Sequence, residues 1–546
     1  MRHEPERAGL RPDQLAAEAD YVIPEEPGAV LITPGPEQVG DLLHAARETA
    51  WGTADVLGVP LAEFRRRARD RALALAAAYT RRFDASGNAG AAVGGTAGSL
   101  TAGRPVILMG HQPLFFHPGV WMKFFLLTRL AVEHAAIGLH VIVDTDATGP
   151  VTADVPADGG RLVRVSETLV EVPDATPLEA VPPPAPRAWQ GFVERVKAHL
   201  ATLPSPEYVE HCSRYAAGEE HVRPRAETLA EFLAGLRRAY EARIGPPGYL
   251  ELPMSRLADT PEFRAFALHL LRSPDTLHRA YNTSLDDYRR LHRVRSAANP
   301  FPNLRQGDGR VETPFWVMHG GKRTELFVGR HGANLVLATA GEDVASVPAD
   351  AGGIDALAAA GVVLRPKAMM LTLFLRLCLG ELCIHGVSGG RYDRVTDMIG
   401  ERLFGRRPPA YVVATATLYP RLLAEAHIAE QRRALERRVM DLRHNPDRHL
   451  VAPSDDQRRL VDEKWTLIRA VETMRPGSDR RAASRRIREV NEQLAEALSS
   501  EISTLEARLA ALQTAQVAEA AARHRGYAFF LFDPAEVRAL AAGGGS

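Results

Sequence analysis

Two tracts of the chain pass from a short apolar run through a glycine-bearing turn into an amphipathic stretch and out into a second apolar run. In the first, Val106 to Met109 has the pattern of a buried strand, Gly110 to Gly119 a turn, Val120 to Ala136 a helix, and Leu139 to Val143 a second strand. In the second, Leu382 to His385 reads as a strand, Gly386 to Gly390 as a glycine-rich turn, Asp393 to Phe404 as a helix and Tyr411 to Ala414 as the next strand. Both are βαβ patterns, so the predicted class is α/β with a parallel sheet. Residues 1 to about 84 read as amphipathic helices, with Val39, Leu42, Leu43 and Ala46 at helical spacing. Ser86 to Gly103 reads as a flexible linker. Pro173 to Pro186 reads as an exposed connector, with helices expected at about 189–203, 225–243 and 260–272. Asn299-Pro300-Phe301-Pro302 and Glu312 to Trp316 lead into a predicted hairpin of Thr324 to Arg330 with Ala333 to Ala338, within a substrate-facing insertion over about 150–340.

Beyond Pro420 the texture changes to Arg, Glu, Ala and Leu. Leu498, Ile502, Leu505, Leu509 and Leu512 trace a heptad seam, and Ile428, Leu435, Val439 and Leu442 suggest a partner helix, so 421–525 is expected to form a helical hairpin or coiled-coil arm. Tyr527 to Phe532 (YAFFLF) is expected to return to the main body as a strand or anchor. The expected organisation is a helical region and linker over 1–103, an α/β core over 104–420, the arm, and a C-terminal return over 526–546.

Charge narrows the function classes. The chain of 546 residues carries 67 basic and 67 acidic side chains, without the broad positive field that nucleic acid or an anionic membrane wants. The arm, with 20 basic against 17 acidic residues, reads as a solvated interaction rod. The most apolar tracts carry Lys123 and Arg129, or Arg376 and Glu381, which lipid would penalise. Three cysteines, Cys212, Cys378 and Cys383, do not suggest a disulfide framework, and with no signal-like start a reducing cytoplasm is the expected setting. The two cysteines in apolar sequence, Cys378 and Cys383, are expected in the core.

Candidate chemistry follows from the two βαβ patterns. Parallel strands end on one sheet edge, so Gly110-His111-Gln112 and Asp144-Thr145-Asp146 are expected where open α/β sheets bind ligands. There His111 would meet a phosphate or carboxylate, Gln112 a polar substrate atom, and Asp144 or Asp146 an amine or magnesium. The alternative is that His111 and Gln112 cap the helix and the aspartates close a turn. In the second tract, Gly386, Gly389 and Gly390 would bring backbone N–H groups to a phosphate, with Ser388 adding a hydroxyl and His385 at the strand end; a plain tight turn is the alternative. Arg365 and Lys367 flank Pro366 as a candidate anion clamp, against a solvated helix start. Only five lysines stand beside 62 arginines, and three of them, Lys123, Lys322 and Lys367, fall in these tracts or in a neighbouring loop. No dedicated metal site is evident.

The order of parts resembles the bacillithiol-biosynthesis cysteine-adding enzymes, a family of cysteine ligases. The resemblance rests on Gly110-His111-Gln112, Pro118-Gly119 and Lys123, on Leu364-Arg365-Pro366, on Gly386 to Gly390 with Tyr392, and on the helical arm, spanning most of 104–532. Departures are His111 where the family has Gln, the inverted Pro118-Gly119 order, an early Lys123, an acidic tract reduced to Asp144-Thr145-Asp146, and a longer spacing from Arg365 to the glycine turn. The resemblance implies a Rossmann-like core related to nucleotidyltransferases, connecting subdomains, a coiled coil that pairs two chains, and a reaction joining the cysteine carboxyl group to the amine of glucosaminyl malate. On that reading ATP with magnesium would serve as cofactor, and His111 or an aspartate would act as general base. A non-catalytic nucleotide or metabolite binder with an interaction arm, and a nucleotidyltransferase, are the competing expectations.

Overall fold

The computed structural model describes residues 21–49, 51–84, 103–422, 428–475 and 477–543, so the expected linker at Ser86 to Gly103 lies almost wholly outside the described residues. The chain divides into two compact units: Met1–Val155, Val165–Tyr419 and Arg525–Ser546 form the first, and Pro156–Arg164 with Pro420–His524 the second.

Among the described residues the main sheet of the first unit has six strands: β1 (Val30–Thr33), β2 (Val106–His111), β3 (Ile137–Ile142), β4 (Tyr249–Pro253), β5 (Leu382–His385) and β6 (Tyr411–Ala416). Their order is β1-β6-β5-β2-β3-β4. β2, β3, β4, β5 and β6 run parallel, and β1 closes one edge antiparallel to β6. Val106 to Met109 are fully buried because both faces of the sheet are covered, which is why a continuous apolar run rather than an alternating one makes this strand. The helices of this unit include α1 (Leu61–Phe83), α2 (Pro118–Glu133), α3 (Leu229–Glu241) and α4 (Val387–Phe404). α2 joins β2 to its neighbour β3, and α4 joins β5 to its neighbour β6, so the two βαβ patterns form as read. α1 buries Leu61, Phe64, Ala68, Ala72 and Ala76, at helical spacing, in the same core.

The expected division of this part of the chain needs three corrections. The stretch 21–84 is not purely helical, since Val30–Thr33 supplies a sheet edge. The stretch 150–340 is not one continuous insertion, because Tyr249–Pro253 returns to pair with β3. Its Glu251 accepts from Arg237 of α3 and meets His140 of β3 at 2.9 Å, a buried charged cluster that a hydrophobicity reading cannot detect. A second sheet, antiparallel throughout, comes next: Asp343–Pro348, Asn334–Ala338, Lys322–His331, Arg310–His319 and Leu364–Pro366 lie side by side, and the predicted hairpin pairs Phe327 with Ala338. Finally, Tyr527 to Phe532 is not a strand. It forms a 3₁₀ turn at Phe529–Leu531, with Phe529 stacked on Phe116 at 4.9 Å and Phe530 on Tyr215 at 5.0 Å.

Among the described residues the second unit contains α5 (Ile428–His444), α6 (Asp455–Thr473), α7 (Ser478–Glu496) and α8 (Ser499–Ala522). α5 packs on α8 and α6 on α7. Val439, Leu442 and Ile502 are buried, while Leu435, Leu498, Leu505, Leu509 and Leu512 are half-buried. Lys464 of α6 is buried and paired with Asp447. Among the described residues no helix is long and apolar enough to cross a membrane.

Candidate functional site

From β2 the chain moves to β3 and β4 on one side, and β5 and β6 lie on the other, so the order reverses between β2 and β5. Crossovers diverge at such a point and leave a crevice beyond the strand ends. A cavity of about 490 Å³ lies at these ends, lined among others by Gly110, His111, Gln112, Lys123, Asp146, His385, Gly386, Ser388, Gly389, Thr415 and Arg525. Of the residues singled out from sequence, His111, Gln112, Lys123, Asp146, His385, Gly386, Ser388 and Gly389 therefore line one cavity.

His111 ends β2 with its Nδ1 2.9 Å from the Gln112 carbonyl oxygen. A carbonyl only accepts, so Nδ1 carries the proton and Nε2 is left as an acceptor. Burial, and then the nearby Lys123 charge, hold the His111 pKa well below its ordinary value, so the ring is a neutral base. Gln112 Nε2 donates to Asp146 at 2.8 Å, and Asp146 also accepts from Arg323 at 2.8 Å. Gln112 and Asp146 thus brace each other beside the cavity.

Lys123 lies on α2, 2% exposed, and its ammonium makes no hydrogen bond or ion pair with any described residue. Desolvation lowers its pKa to about 8. The Nζ lies 3.6 Å from where a Cβ on Gly386 would stand, next to the start of α4. That start is open. Gly386 caps α4 with extended backbone and no side-chain bond, and the N–H groups of Val387, Ser388 and Gly389 find no acceptor among the described residues. By contrast, the first N–H groups of α2 are closed by His117, whose Nδ1 accepts from Gly119 at 3.1 Å and whose carbonyl takes Val120 and Trp121.

Gly386 to Gly390 are not a turn but the cap and first turn of α4, and none of these glycines has positive φ. Close approach explains two of them. A Cβ on Gly389 would stand 2.9 Å from His385 Nδ1, and one on Gly390 2.2 Å from the Val413 side chain. Gly390 therefore packs the helix onto the sheet and lines no part of the cavity. His385 Nε2 lies 2.6 Å from Asp393, which is also bound by Arg376 at 2.9 Å. Burial alone would lower the His385 pKa, but Cys383 and the Asp393 carboxylate overcome it and raise it to about 10. At neutral pH His385 is a cationic donor, not a base. Cys383, expected purely in the core, is buried but also reaches the cavity wall.

Besides Gly390, three expected site residues lie outside the cavity lining. Asp144, 2% exposed, accepts from the backbone N–H of Ser255 at 2.9 Å and from its hydroxyl, fastening the loop after β3 to the short helix Met254–Ala258 that follows β4. Arg365 is spent on Glu179 and Asp259, both at 2.7 Å. Lys367 pairs with Glu312 at 2.7 Å over the Trp316 ring. The anion clamp read around Pro366 is therefore a pair of structural ion pairs. Lys322 is an exposed residue of the second sheet. Nor do Asp144 and Asp146 fit a magnesium ion, since one is committed to Ser255 and the other to Gln112 and Arg323.

Sequence reading missed His117, Asp393, Thr415 and Arg525. His117-Pro118 is a cap followed by proline at the first helical position, a signal that was available. Arg525 had no local signal, because it reaches the cavity from the far end of the chain. Scanned against models of known protein families and against curated proteins, the chain matches none.

Proposed function

We propose that this chain is an amide-forming ligase, a divergent counterpart of the cysteine-adding enzymes, and that the cavity between β2 and β5 is its active site. The reading is supported above all by the convergence of a neutral imidazole, His111, with an unpaired ammonium, Lys123, beside the open start of α4. A carboxylate such as that of cysteine, activated as an acyl phosphate or acyl nucleotide, would set its phosphate against the Val387 to Gly389 N–H groups and Lys123. The amine attacks the acyl carbon. The C–N bond forms, the C–O bond to phosphate breaks with its electron pair leaving on phosphate, and the amine proton passes to His111 Nε2. His385, held cationic by Asp393, stabilises the departing charge. On this reading the parallel sheet is a Rossmann-like, nucleotidyltransferase-related core, a nucleotide such as ATP is a co-substrate, and the helices of the second unit form a coiled coil that pairs two chains.

The test is to incubate the full chain with ATP, magnesium, cysteine and a panel of amines, glucosaminyl malate included, and to look for the amide by mass spectrometry. Amide formation that falls at least a hundredfold in His111→Ala supports the assignment; equal rates in His111→Ala would end it. The commitment of Asp144, Arg365 and Lys367 to structural pairs favours a second reading, non-catalytic nucleotide or metabolite binding, which predicts calorimetric binding without product. Release of pyrophosphate without amide would indicate a nucleotidyltransferase.

A further inference from the structure

Arg525 is the first residue to rejoin the first unit after Pro420–His524, and no described carboxylate pairs with its charge. Its Nε donates to the Thr417 hydroxyl at 2.9 Å, and one terminal nitrogen donates to the Thr415 hydroxyl and, at 2.8 Å, to the Ala416 carbonyl. The other terminal nitrogen faces His117 Nε2 at 3.5 Å. Because His117 accepts at Nδ1, the ring proton lies at Nε2, which offers Arg525 no lone pair. All the acceptors are thus neutral, and no described carboxylate forms an ion pair with Arg525.

The charges around the cavity can be matched one by one. Asp146 answers Arg323, and Asp393 and Asp397 answer His385 and Arg376. Lys123 and Arg525 remain. Their positions are linked through α2: Gly119 and Lys123 lie four residues apart on one helix face, roughly 5–6 Å between such positions, and Arg525 covers Gly119. A Cβ there would stand 2.8 Å from the guanidinium and 2.2 Å from the Ala416 carbonyl. Glycine at 119 is what admits the arginine. Lys123, buried, and Arg525, half-buried, line one cavity without a carboxylate partner, and a ligand of opposite sign would offset the charging cost they carry there.

We propose that Arg525, aimed by Thr415 and Thr417, forms a second anion subsite beside Lys123, so that the ligand of this cavity is a compact dianion: a phosphoryl group or a pair of carboxylates. This deepens the ligase reading and rests on the cavity being its active site, but it is tested apart from catalysis. Dissociation constants for inorganic phosphate, succinate and acetate are measured by calorimetry at constant ionic strength on the full chain and on Arg525→Gln, Arg525→Lys and Thr415→Val, with far-UV circular dichroism confirming that each variant is folded. The wild type is expected to prefer at least one dianion to acetate. That dianion is expected to bind at least tenfold more weakly to Arg525→Gln, with Arg525→Lys between the two and acetate changed less than twofold. A response to phosphate alone identifies a phosphoryl ligand, and a response to succinate alone a dicarboxylate. Equal dianion binding by the wild type and Arg525→Gln, or no dianion binding by the wild type, overturns the subsite even if amide is formed. Arginine-dependent dianion binding without amide formation leaves the subsite standing and removes the ligase.

Discussion

Replacing Lys123 by Met should make the protein more stable and the cavity inert. The ammonium is 2% exposed and has no partner among the described residues, and burial lowers its pKa from 10.5 to about 8. At 1.36 kcal/mol for each pKa unit, keeping the charge inside the folded chain costs about 3 kcal/mol at neutral pH. Methionine keeps an unbranched side chain and removes the charge, so Lys123→Met is expected to raise the urea unfolding free energy at pH 7 by up to about 3 kcal/mol at unchanged m value. The pH dependence has a definite sign. The unfolded chain holds the proton up to pH 10.5 and the folded chain only to about 8, so the wild type gains stability as pH rises through that interval. The advantage of Lys123→Met is therefore full below pH 8 and fades towards 10.5. Unfolding curves at pH 7, 9 and 10.5 track it, with phosphate titrated in parallel. A variant less stable than wild type by more than about 1 kcal/mol at pH 7, or an advantage that does not shrink with pH, would refute the view of Lys123 as an uncompensated charge awaiting a ligand.

Other substitutions probe the frame around the cavity. Gly390→Ala puts a methyl 2.2 Å from Val413 and is expected to cost about 1 to 3 kcal/mol by overpacking, read from the urea midpoint. Asp393→Asn strips both His385 and Arg376 of their shared carboxylate and should cost about 3 to 5 kcal/mol, while the His385 titration, followed by NMR, falls from its position near pH 10. Arg365→Leu leaves the partly buried Glu179 without its cation and should destabilise by a similar amount, about 3 to 5 kcal/mol, yet leave phosphate affinity within twofold of wild type; a large affinity loss in a folded Arg365→Leu would return this arginine to the site.

What could be read from sequence was decided by how far each signal travels along the chain. The two βαβ patterns depend on local periodicity, and β5 begins and ends where the apolar run does. His111 and Lys123 are legible because both lie within one such pattern. The glycines at 386–390 mark the right region, though as a helix start and not a turn: Gly389 makes room for the neighbouring His385 ring, and Gly390 for Val413, a partner set by tertiary packing. Arg365 and Lys367 look like free cations in the sequence because their carboxylates, Glu179, Asp259 and Glu312, are distant along it. Tyr249–Pro253 is invisible as a central-sheet strand because a long connection separates it from β3, and its polar centre, Glu251, is buried only by virtue of Arg237 and His140.

The way Arg525 reaches the cavity has a consequence for how the protein is made. It is separated by 110 residues from Thr415, to which it donates, and a ribosome adding about 5 to 20 residues per second needs roughly 5 to 20 seconds to cross that interval. Throughout it, a nascent chain that has already completed every strand of the central sheet still lacks the guanidinium and the Phe529 ring that stacks on Phe116. The pocket is thus finished late in translation, after the scaffold that frames it.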